Sequence, residues 1–249
     1  MNRIFFFDVD GTLSIHGCVP QSAINTLKYL KDQGDLLILS TGRCLGQMKD
    51  IFELFSFDGA ILNNGAYVYF KDETLFSSPI SNDDILRLVH YNLCTAILSK
   101  DLYGVLNPNQ NVLDFFCGYF DIPIPKKVSY EYLNQNLVYS LGVYSLESID
   151  NYINEFPSLR FIKVNPYGYD VINDGVSKGI GIEVFRKKFP KHIFFGFGDN
   201  YNDIEMLEAV DIAIVMNTAP EEVKKYASYI TKGPLEDGIE FAVKEILKL

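Results

Sequence analysis

Short apolar runs alternate with amphipathic stretches over both ends of the chain. The apolar runs predict buried strands, and apolar residues at helical spacing between the runs predict helices. Strands separated by helices in this way predict a parallel sheet built from βαβ units. The pattern predicts strands at residues 3–7, 35–40, 59–62, 192–196 and 212–215, and helices at residues 20–33, 45–55, 178–189, 203–209, 220–227 and 235–249.

The middle of the chain has a different pattern. Residues 81–172 are rich in tyrosine, and they contain predicted helices and strands of their own. We therefore expect a second α/β unit over residues 81–172, inserted into a domain formed by residues 1–80 and 173–249. Within the insertion, residues 121–127 contain two prolines and are predicted to form a loop.

Composition narrows the class of partner. The chain has 249 residues and a formal net charge of −10, so nucleic acid and anionic membranes are not expected as main partners. No signal peptide and no membrane-spanning stretch are evident, which favours a cytoplasmic location. The four cysteines show no paired spacing, so neither a zinc site nor a disulfide framework is expected.

The first predicted strand ends in two carboxylates, Asp8 and Asp10, followed by Gly11-Thr12. If the chain stays extended, the alternation of a strand sends both carboxylates in the same direction. Two carboxylates that lie so close repel each other unless a cation or a shared proton intervenes. A Mg²⁺ ion would satisfy them, whereas a solvated turn that caps a helix is the plain structural alternative.

Three further sites follow predicted strands or begin predicted helices. The hydroxyl and backbone N–H groups of Thr41-Gly42 could cradle an anion, or the segment could be a simple helix cap. Lys178 at the start of a helix opposes the helix dipole and needs an anionic partner, unless it is merely exposed. Asp199 and Asp203 are four residues apart, so they would share a face if the segment were helical, and the pair could bind a metal. A metal, a nucleophile, an anion cradle and a lysine are together what phosphoryl transfer requires.

These segments resemble the motifs of the haloacid dehalogenase superfamily. Asp8-Val9-Asp10-Gly11-Thr12 is similar to the first motif, Thr41 to the second, Lys178 to the third, and the stretch from Gly198 to Asp203 to the fourth. The insertion resembles a C2-type cap, and Asn64-Gly65-Ala66 narrows the resemblance to the Cof-like type IIB phosphatases. The resemblance implies a Rossmann-like, doubly wound parallel sheet with an inserted α/β cap domain of the C2B type.

The resemblance also implies residue roles. Asp8 would be the nucleophile that forms an aspartyl phosphate, and Asp10 the general acid and base. Mg²⁺ would be held by Asp8, the backbone carbonyl of Asp10, and Asp199, with Asp203 binding through water or orienting Lys178. The groups expected to bind the phosphate are those of Gly11, Thr41, Gly42, Lys178 and Asn202. The expected activity is Mg²⁺-dependent hydrolysis of a small phosphorylated metabolite such as a sugar phosphate.

Two other functions are compatible with this pattern. A phosphomutase would need a second phosphate site, yet residues 81–172 contain only Arg87 and Arg160 as arginines. A non-catalytic sugar-phosphate sensor would not need Asp8, Asp10, Lys178 and Asp199 intact. The chain departs from the family pattern at Asn217-Thr218 and at Gly233-Pro234, and these departures leave the substrate open.

Overall fold

A computed structural model describes residues 2–91, 93–120, 124–145, 149–165 and 168–249, except for the side chains at positions 116, 119, 120, 150, 151 and 165. The chain divides into two compact units. The first comprises residues 1–41, 49–76 and 177–249, and the second comprises residues 42–48 and 77–176. These divisions lie within four residues of the predicted 80/81 and 172/173 boundaries, but residues 42–48 were not expected in the second unit.

The described residues form strands and helices throughout both units. The strands are β1 Arg3–Phe7, β2 Leu36–Ser40, β3 Gly59–Leu62, β4 Tyr67–Phe70, β5 Glu73–Ser77, β6 Cys94–Ser99, β7 Tyr103–Leu106, β8 Lys126–Lys127, β9 Val138–Tyr144, β10 Leu159–Asn165, β11 Gly168–Asn173, β12 Ile193–Gly198, β13 Ile212–Met216 and β14 Tyr229–Thr231. The helices are α1 Gln21–Asp32, α2 Lys49–Leu54, α3 Asn82–His90, α4 Gln110–Phe120, α5 Glu131–Gln135, α6 Asp150–Ile153, α7 Lys178–Lys188, α8 Ile204–Ala209, α9 Glu221–Lys224 and α10 Gly238–Phe241.

The first unit is built on an eight-stranded sheet with the order β14-β13-β12-β1-β2-β3-β4-β5. The six strands from β14 to β3 are parallel, and β4 runs antiparallel to β3. Phenylalanines of β1 stack on those of β12, with ring centroids 4.5 Å apart for Phe5 and Phe195 and 4.9 Å apart for Phe7 and Phe197. This stacking stabilises the register of two neighbouring strands. The parallel pairing of six strands confirms the predicted α/β fold with a parallel sheet.

The second unit has its own six-stranded sheet with the order β10-β11-β9-β6-β7-β8. The pairings from β10 to β7 are antiparallel, and β8 pairs with β7 in parallel. One face of this sheet packs on α3 through Ile85, Leu88 and Val89. The sheet is antiparallel in the main, in contrast to the sheet of the first unit.

Several predicted elements differ from those observed. The helix predicted at residues 45–55 is a single 3₁₀ turn, Leu45–Gln47, followed by the short helix α2. The helix predicted at residues 235–249 breaks at Asp237, which has a left-handed backbone with φ of 59°, and continues as α10 and one π-helical turn at Ala242–Ile246. Lys126–Lys127, predicted as loop, pairs with β7, whereas residues 121–123 lie outside the described part of the chain. In the described part of the chain, no helix is both long and apolar enough to cross a bilayer.

Candidate active site

Three adjacent parallel strands end in the residues predicted to carry the chemistry. Asp8 follows β1, Thr41 follows β2, and Asp199 follows β12. Because β12, β1 and β2 are neighbours and parallel, their carboxyl ends meet at one edge of the sheet. The backbone N–H of Asp8 donates to the carbonyl of Phe197 at 2.9 Å, so the register of β1 and β12 extends into the site.

Lys178 links the first strand to the loop after β12. It is the first residue of α7, and the hydroxyl of Ser177 caps this helix by accepting from the N–H of Ile180. The Lys178 ammonium group donates to Asp8 Oδ1 and to Asp203 Oδ1, at 2.6 Å in each case, and the residue is only 1% exposed. A buried cation at a helix start is therefore balanced by two carboxylates.

Asp203 has both carboxylate oxygens engaged. Oδ1 accepts from Lys178, and Oδ2 accepts from the backbone N–H groups of Asp199 and Asn200, at 2.9 Å and 3.0 Å. The side chain is fully buried. Asp203 thereby fixes both the position of Lys178 and the shape of the loop that carries Asp199.

The segment from Asp199 to Asp203 is not helical throughout, so the condition for a shared helical face is not met. Asn200 has an extended backbone, with φ of −128°, and helical structure begins only with the 3₁₀ turn Tyr201–Asp203. The two residues are brought together because the Asp203 side chain folds back over the loop to accept the Asp199 N–H. The prediction of proximity was right for a different geometric reason.

Gly11 and Thr12 hold Asp199 from the other side. Gly11 has a left-handed φ of 92°, and a Cβ built on it would lie 2.2 Å from Asp199 Oδ2. The hydroxyl of Thr12 donates to Asp199 Oδ1 at 2.9 Å. Only glycine permits both the backbone conformation and this close approach. The turn after β1 is thus shaped around a carboxylate that lies far away in the sequence.

The turn after β1 also separates the environments of Asp8 and Asp10. The strand ends at Phe7, and the N–H groups of Thr12, Leu13 and Ser14 turn back to the Val9 carbonyl. The alternation of side chains along β1 therefore does not continue through Asp10. Asp8 is 5% exposed, whereas Asp10 is exposed to solvent. The two carboxylates therefore have different surroundings.

Burial and repulsion shift the acid–base properties of the cluster. Burial is the main cause that raises the pKa of Asp8 well above its usual range, and repulsion from Asp203 adds to it, while Lys178 opposes it. Burial, followed by repulsion from Asp203, raises the pKa of Asp199 to about 7. Burial lowers the pKa of Lys178, but attraction to Asp203 and Asp8 outweighs it and raises that pKa above its ordinary value.

Three carboxylates are placed to hold a metal ion. Asp8, Asp199 and Asp203 each offer an oxygen, and these oxygens lie within 4.8 Å of one another. Burial, and after it repulsion between the carboxylates, raises the pKa values of Asp8 and Asp199, and a cation bound at the cluster would offset both effects. The donor set consists of oxygens alone, which suits a hard divalent cation.

The remaining predicted residues have various surroundings. Thr41 is buried, and its N–H donates to the carbonyl of Ile61 at 2.8 Å. Gly42 begins the segment 42–48, which packs with the second unit. Asn202 lies in the 3₁₀ turn before α8, and its amide donates to Asn64 Oδ1 at 2.9 Å. The catalytic, phosphate-binding and metal-binding roles of all the residues that the sequence singled out stay predictions.

Thr12 and Asn64 contact site residues but were not singled out for site roles from the sequence. Thr12 is adjacent to Gly11 and follows the Asp8–Asp10 pair, so its position in the motif was an available signal. Asn64 lies in the Asn64-Gly65-Ala66 segment, whose resemblance to the Cof-like phosphatases assigns it no site role. The departure at Asn217 also has a structural counterpart, because its amide donates to Glu236 at 3.3 Å, next to Gly233.

The family profile of haloacid dehalogenase-like hydrolases matches residues 5–243 of the chain. The chain belongs to this family. A relative from Bacillus subtilis (strain 168), named "Putative phosphatase YkrA", is 27% identical to this hydrolase over 98% of both chains.

Solved structures of similar proteins extend the relationship to the fold. A hypothetical protein from Geobacillus kaustophilus HTA426 has a TM-score of 0.90 and 26% identity, and the match covers all of both chains. The HAD subclass IIB sugar phosphatase BT4131 has a TM-score of 0.84 and 26% identity, again over all of both chains. The predictions of superfamily membership, of the Rossmann-like α/β class and of a hydrolytic enzyme are confirmed.

The close approach of Gly11 to Asp199 yields a test with a matched control. Gly17 also has a positive φ, of 72°, but a Cβ there would have no neighbour within 4 Å. Gly17→Ala should cost about 1–2 kcal/mol in free energy of unfolding through backbone strain alone. Gly11→Ala should cost clearly more, because the Asp199 carboxylate must also move. Denaturant unfolding measures both, and equal losses would contradict the described packing.

The raised pKa of Asp199 predicts a pH dependence of stability in the absence of divalent cations. The folded-state pKa is about 7 against an ordinary value of 3.8, so the folded protein holds this proton more tightly than the unfolded chain. That stabilisation is fully present below about pH 4 and is lost as the pH rises toward about 7. The Asp199→Asn side chain cannot titrate. The melting temperature of the variant minus that of the unaltered protein should therefore increase between about pH 4 and about pH 7, and stay constant at higher pH.

Melting curves in a chelator between about pH 4 and about pH 8 measure the difference between the two proteins. A gap that is independent of pH would mean that Asp199 has an ordinary pKa in the folded state.

Proposed function

We propose that this hydrolase is a Mg²⁺-dependent phosphatase that cleaves small phosphomonoesters through an aspartyl-phosphate intermediate. The observation that carries the proposal is the buried Asp8 carboxylate at the end of β1, which is paired with Lys178 beside Asp199 and Asp203. Membership of the haloacid dehalogenase-like hydrolases supports the phosphatase class, as do a relative named as a phosphatase and a structural neighbour described as one.

Asp8 is proposed as the nucleophile. One of its oxygens attacks phosphorus while the bond from phosphorus to the leaving oxygen breaks. Asp10 gives a proton to that oxygen as it leaves, and its greater exposure suits exchange of protons with an incoming water. Asp10 then takes a proton from the water that attacks phosphorus, and the bond between Asp8 and phosphorus breaks to release inorganic phosphate.

The phosphoryl oxygens need fixed positive partners during both steps. Lys178 is proposed to donate to them from its position beside Asp8, together with Thr41, Asn202 and the backbone N–H group of Gly42. The N–H of Gly11, which the sequence also suggested for this role, instead donates to the Ser14 carbonyl at 2.8 Å. Asp203 would keep Lys178 in place, because its Oδ1 accepts from Lys178 while its Oδ2 is held by the N–H groups of Asp199 and Asn200 in the loop. Groups that are positioned in advance where negative charge develops are the strongest source of rate acceleration.

Asp8, Asp199 and the backbone carbonyl of Asp10 are proposed to hold Mg²⁺, with Asp203 acting through water or through Lys178. The ion would supply positive charge to the transferred phosphoryl group and keep the Asp8 carboxylate ionised. The oxygen-only donor set and the raised pKa values of Asp8 and Asp199 support this choice.

The substrate class that we propose is a small phosphorylated metabolite, with sugar phosphates first. The sugar phosphatase BT4131 supports this class because it matches the whole of this chain.

A phosphomutase would need cationic groups for a second phosphate. Arg87 instead donates to the Glu155 carbonyl and packs 4.9 Å from the Phe156 ring centroid, and Arg160 donates to the Val176 carbonyl at 3.4 Å. A cytoplasmic location remains a prediction from the sequence.

Asp8→Asn tests the nucleophile. The variant should lose essentially all Mg²⁺-dependent release of inorganic phosphate from p-nitrophenyl phosphate, because an amide is a far weaker nucleophile than a carboxylate. The fold should survive, since burial already favours the neutral form of Asp8. Asp32→Asn, at the end of α1, is the control and should keep full turnover.

Chelation completes this experiment. Turnover by the unaltered protein should stop in EDTA and return when Mg²⁺ is restored. Retained turnover in folded Asp8→Asn would rule out the proposed nucleophile, and activity that resists the chelator would rule out the metal.

A further inference from the structure

One turn of the first unit contacts the segments that carry three of the four motifs. This turn, Asn63–Gly65, follows β3 directly. The N–H of Asn64 donates to the Thr41 carbonyl at 3.0 Å, and its Oδ1 accepts from the Asn202 amide at 2.9 Å. The turn therefore ties the segment after β2 to the loop after β12.

Gly65 brings the same turn against the start of α7. Its φ is 101°, and a Cβ built there would lie 2.0 Å from the carbonyl oxygen of Ser177, the residue before Lys178. Gly65 thus permits a close approach that no other residue could make. Through this approach and the two hydrogen bonds of Asn64, a single turn contacts Thr41, Ser177 and Asn202.

The backbone of this turn is in a conformation that most side chains avoid. Asn63 and Asn64 both have φ of 53°, and both are essentially fully buried. Asparagine tolerates the left-handed region better than other residues with a side chain, but glycine would occupy it at lower cost. Glycine would adopt the left-handed backbone conformation at position 64 at lower cost than asparagine. The presence of an asparagine side chain is therefore explained by the contacts that this side chain makes. Its Oδ1 contacts Asn202.

We propose that Asn64 is a positioning residue that orients the amide of Asn202 toward the phosphate. The proposal rests on the proposed function, in which Asn202 donates to a phosphoryl oxygen. An amide group is planar and has two N–H donors in fixed directions. When one N–H is held by Asn64, the plane of the amide and the direction of the second N–H are set. Asn64 itself has no contact with the reacting atoms in this account.

A double-mutant cycle on Asn64 and Asn202 tests the proposal. Asn64→Gly removes the acceptor but keeps the left-handed backbone and the N–H that donates to Thr41. Asn202→Ala removes the donor to phosphate. Each single variant should lower kcat/KM for p-nitrophenyl phosphate by about ten- to a hundred-fold, the range expected for a buried polar contact.

The decisive quantity is the coupling between the two changes. If Asn64 acts through Asn202, the double variant should be no worse than the Asn202→Ala single variant by more than about two-fold. If the losses multiply instead, Asn64 acts independently of Asn202 and the proposal is overturned.

A matched control separates the side chain from the backbone. Lys71 has the same φ of 53°, lies in the turn between β4 and β5, and is exposed. Lys71→Gly should leave kcat and KM unchanged. Denaturant unfolding should show Asn64→Gly to be less stable than Lys71→Gly by about 1–3 kcal/mol, the cost of the buried hydrogen bond that it loses, and still folded under assay conditions. An activity loss in Asn64→Gly that merely follows a loss of folded protein would count against positioning.

Asn64→Ser serves in the cycle if the void left by Asn64→Gly makes that variant too unstable to assay, because serine fills part of the space while its shorter side chain cannot reach the Asn202 amide. If the unaltered protein showed no turnover, that result would overturn the proposed function and this proposal together. Turnover with multiplicative losses would overturn this proposal alone.

Discussion

The Lys178 ammonium group lies between the carboxylates of Asp8 and Asp203, 2.6 Å from an oxygen of each, and nearly excluded from solvent. This contact joins the start of α7, the end of β1 and the loop after β12. Because a buried charge that loses its partner is very costly, the three segments are held in one relative arrangement. The positions of Asp199, Gly11 and Thr12 depend on that arrangement, since Asp203 also fixes the Asp199 backbone.

Charge balance explains why the cluster needs a cation. Three carboxylates, those of Asp8, Asp199 and Asp203, surround one ammonium group, so full ionisation would leave a net charge of 1 − 3 = −2. Burial makes such an excess expensive, and the raised pKa values of Asp8 and Asp199 are its direct consequence. A divalent cation brings the sum to zero. The same electrostatic strain that opposes ionisation therefore favours metal binding and, with it, an ionised Asp8 carboxylate.

The sequence predicted the parallel sheet well where strands are continuous apolar runs. The phenylalanines of β1 and the leucines of β2 leave little choice of structure. Sequence patterns missed β7, β8, β11 and β14. Strands β7 and β11 each contain a glycine, β8 consists of two exposed lysines, and β14 is only three residues long with two exposed. These short strands form because a neighbouring strand offers hydrogen bonds, which local composition does not reveal.

The site was predictable as a set of residues but not as a geometry. Motif spacing identified Asp8, Lys178, Asp199 and Asp203, and the structure brings these four together. The sequence could not show that the Asp203 side chain folds back over its loop, or that Gly11 leaves space for the Asp199 carboxylate. The contact between Asn202 and Asn64 spans 138 positions, and it depends on a left-handed turn that no local pattern identifies.

The proposed mechanism requires that Asp8 accept the phosphoryl group. Acid quenching during turnover, followed by borohydride reduction and peptide mass spectrometry, tests it directly, because reduction of an aspartyl phosphate leaves homoserine at that position. Homoserine at position 8, formed only when Mg²⁺ and substrate are both present, is the predicted result. An unmodified Asp8 in a protein that is turning over substrate, with homoserine at another aspartate instead, would contradict the account.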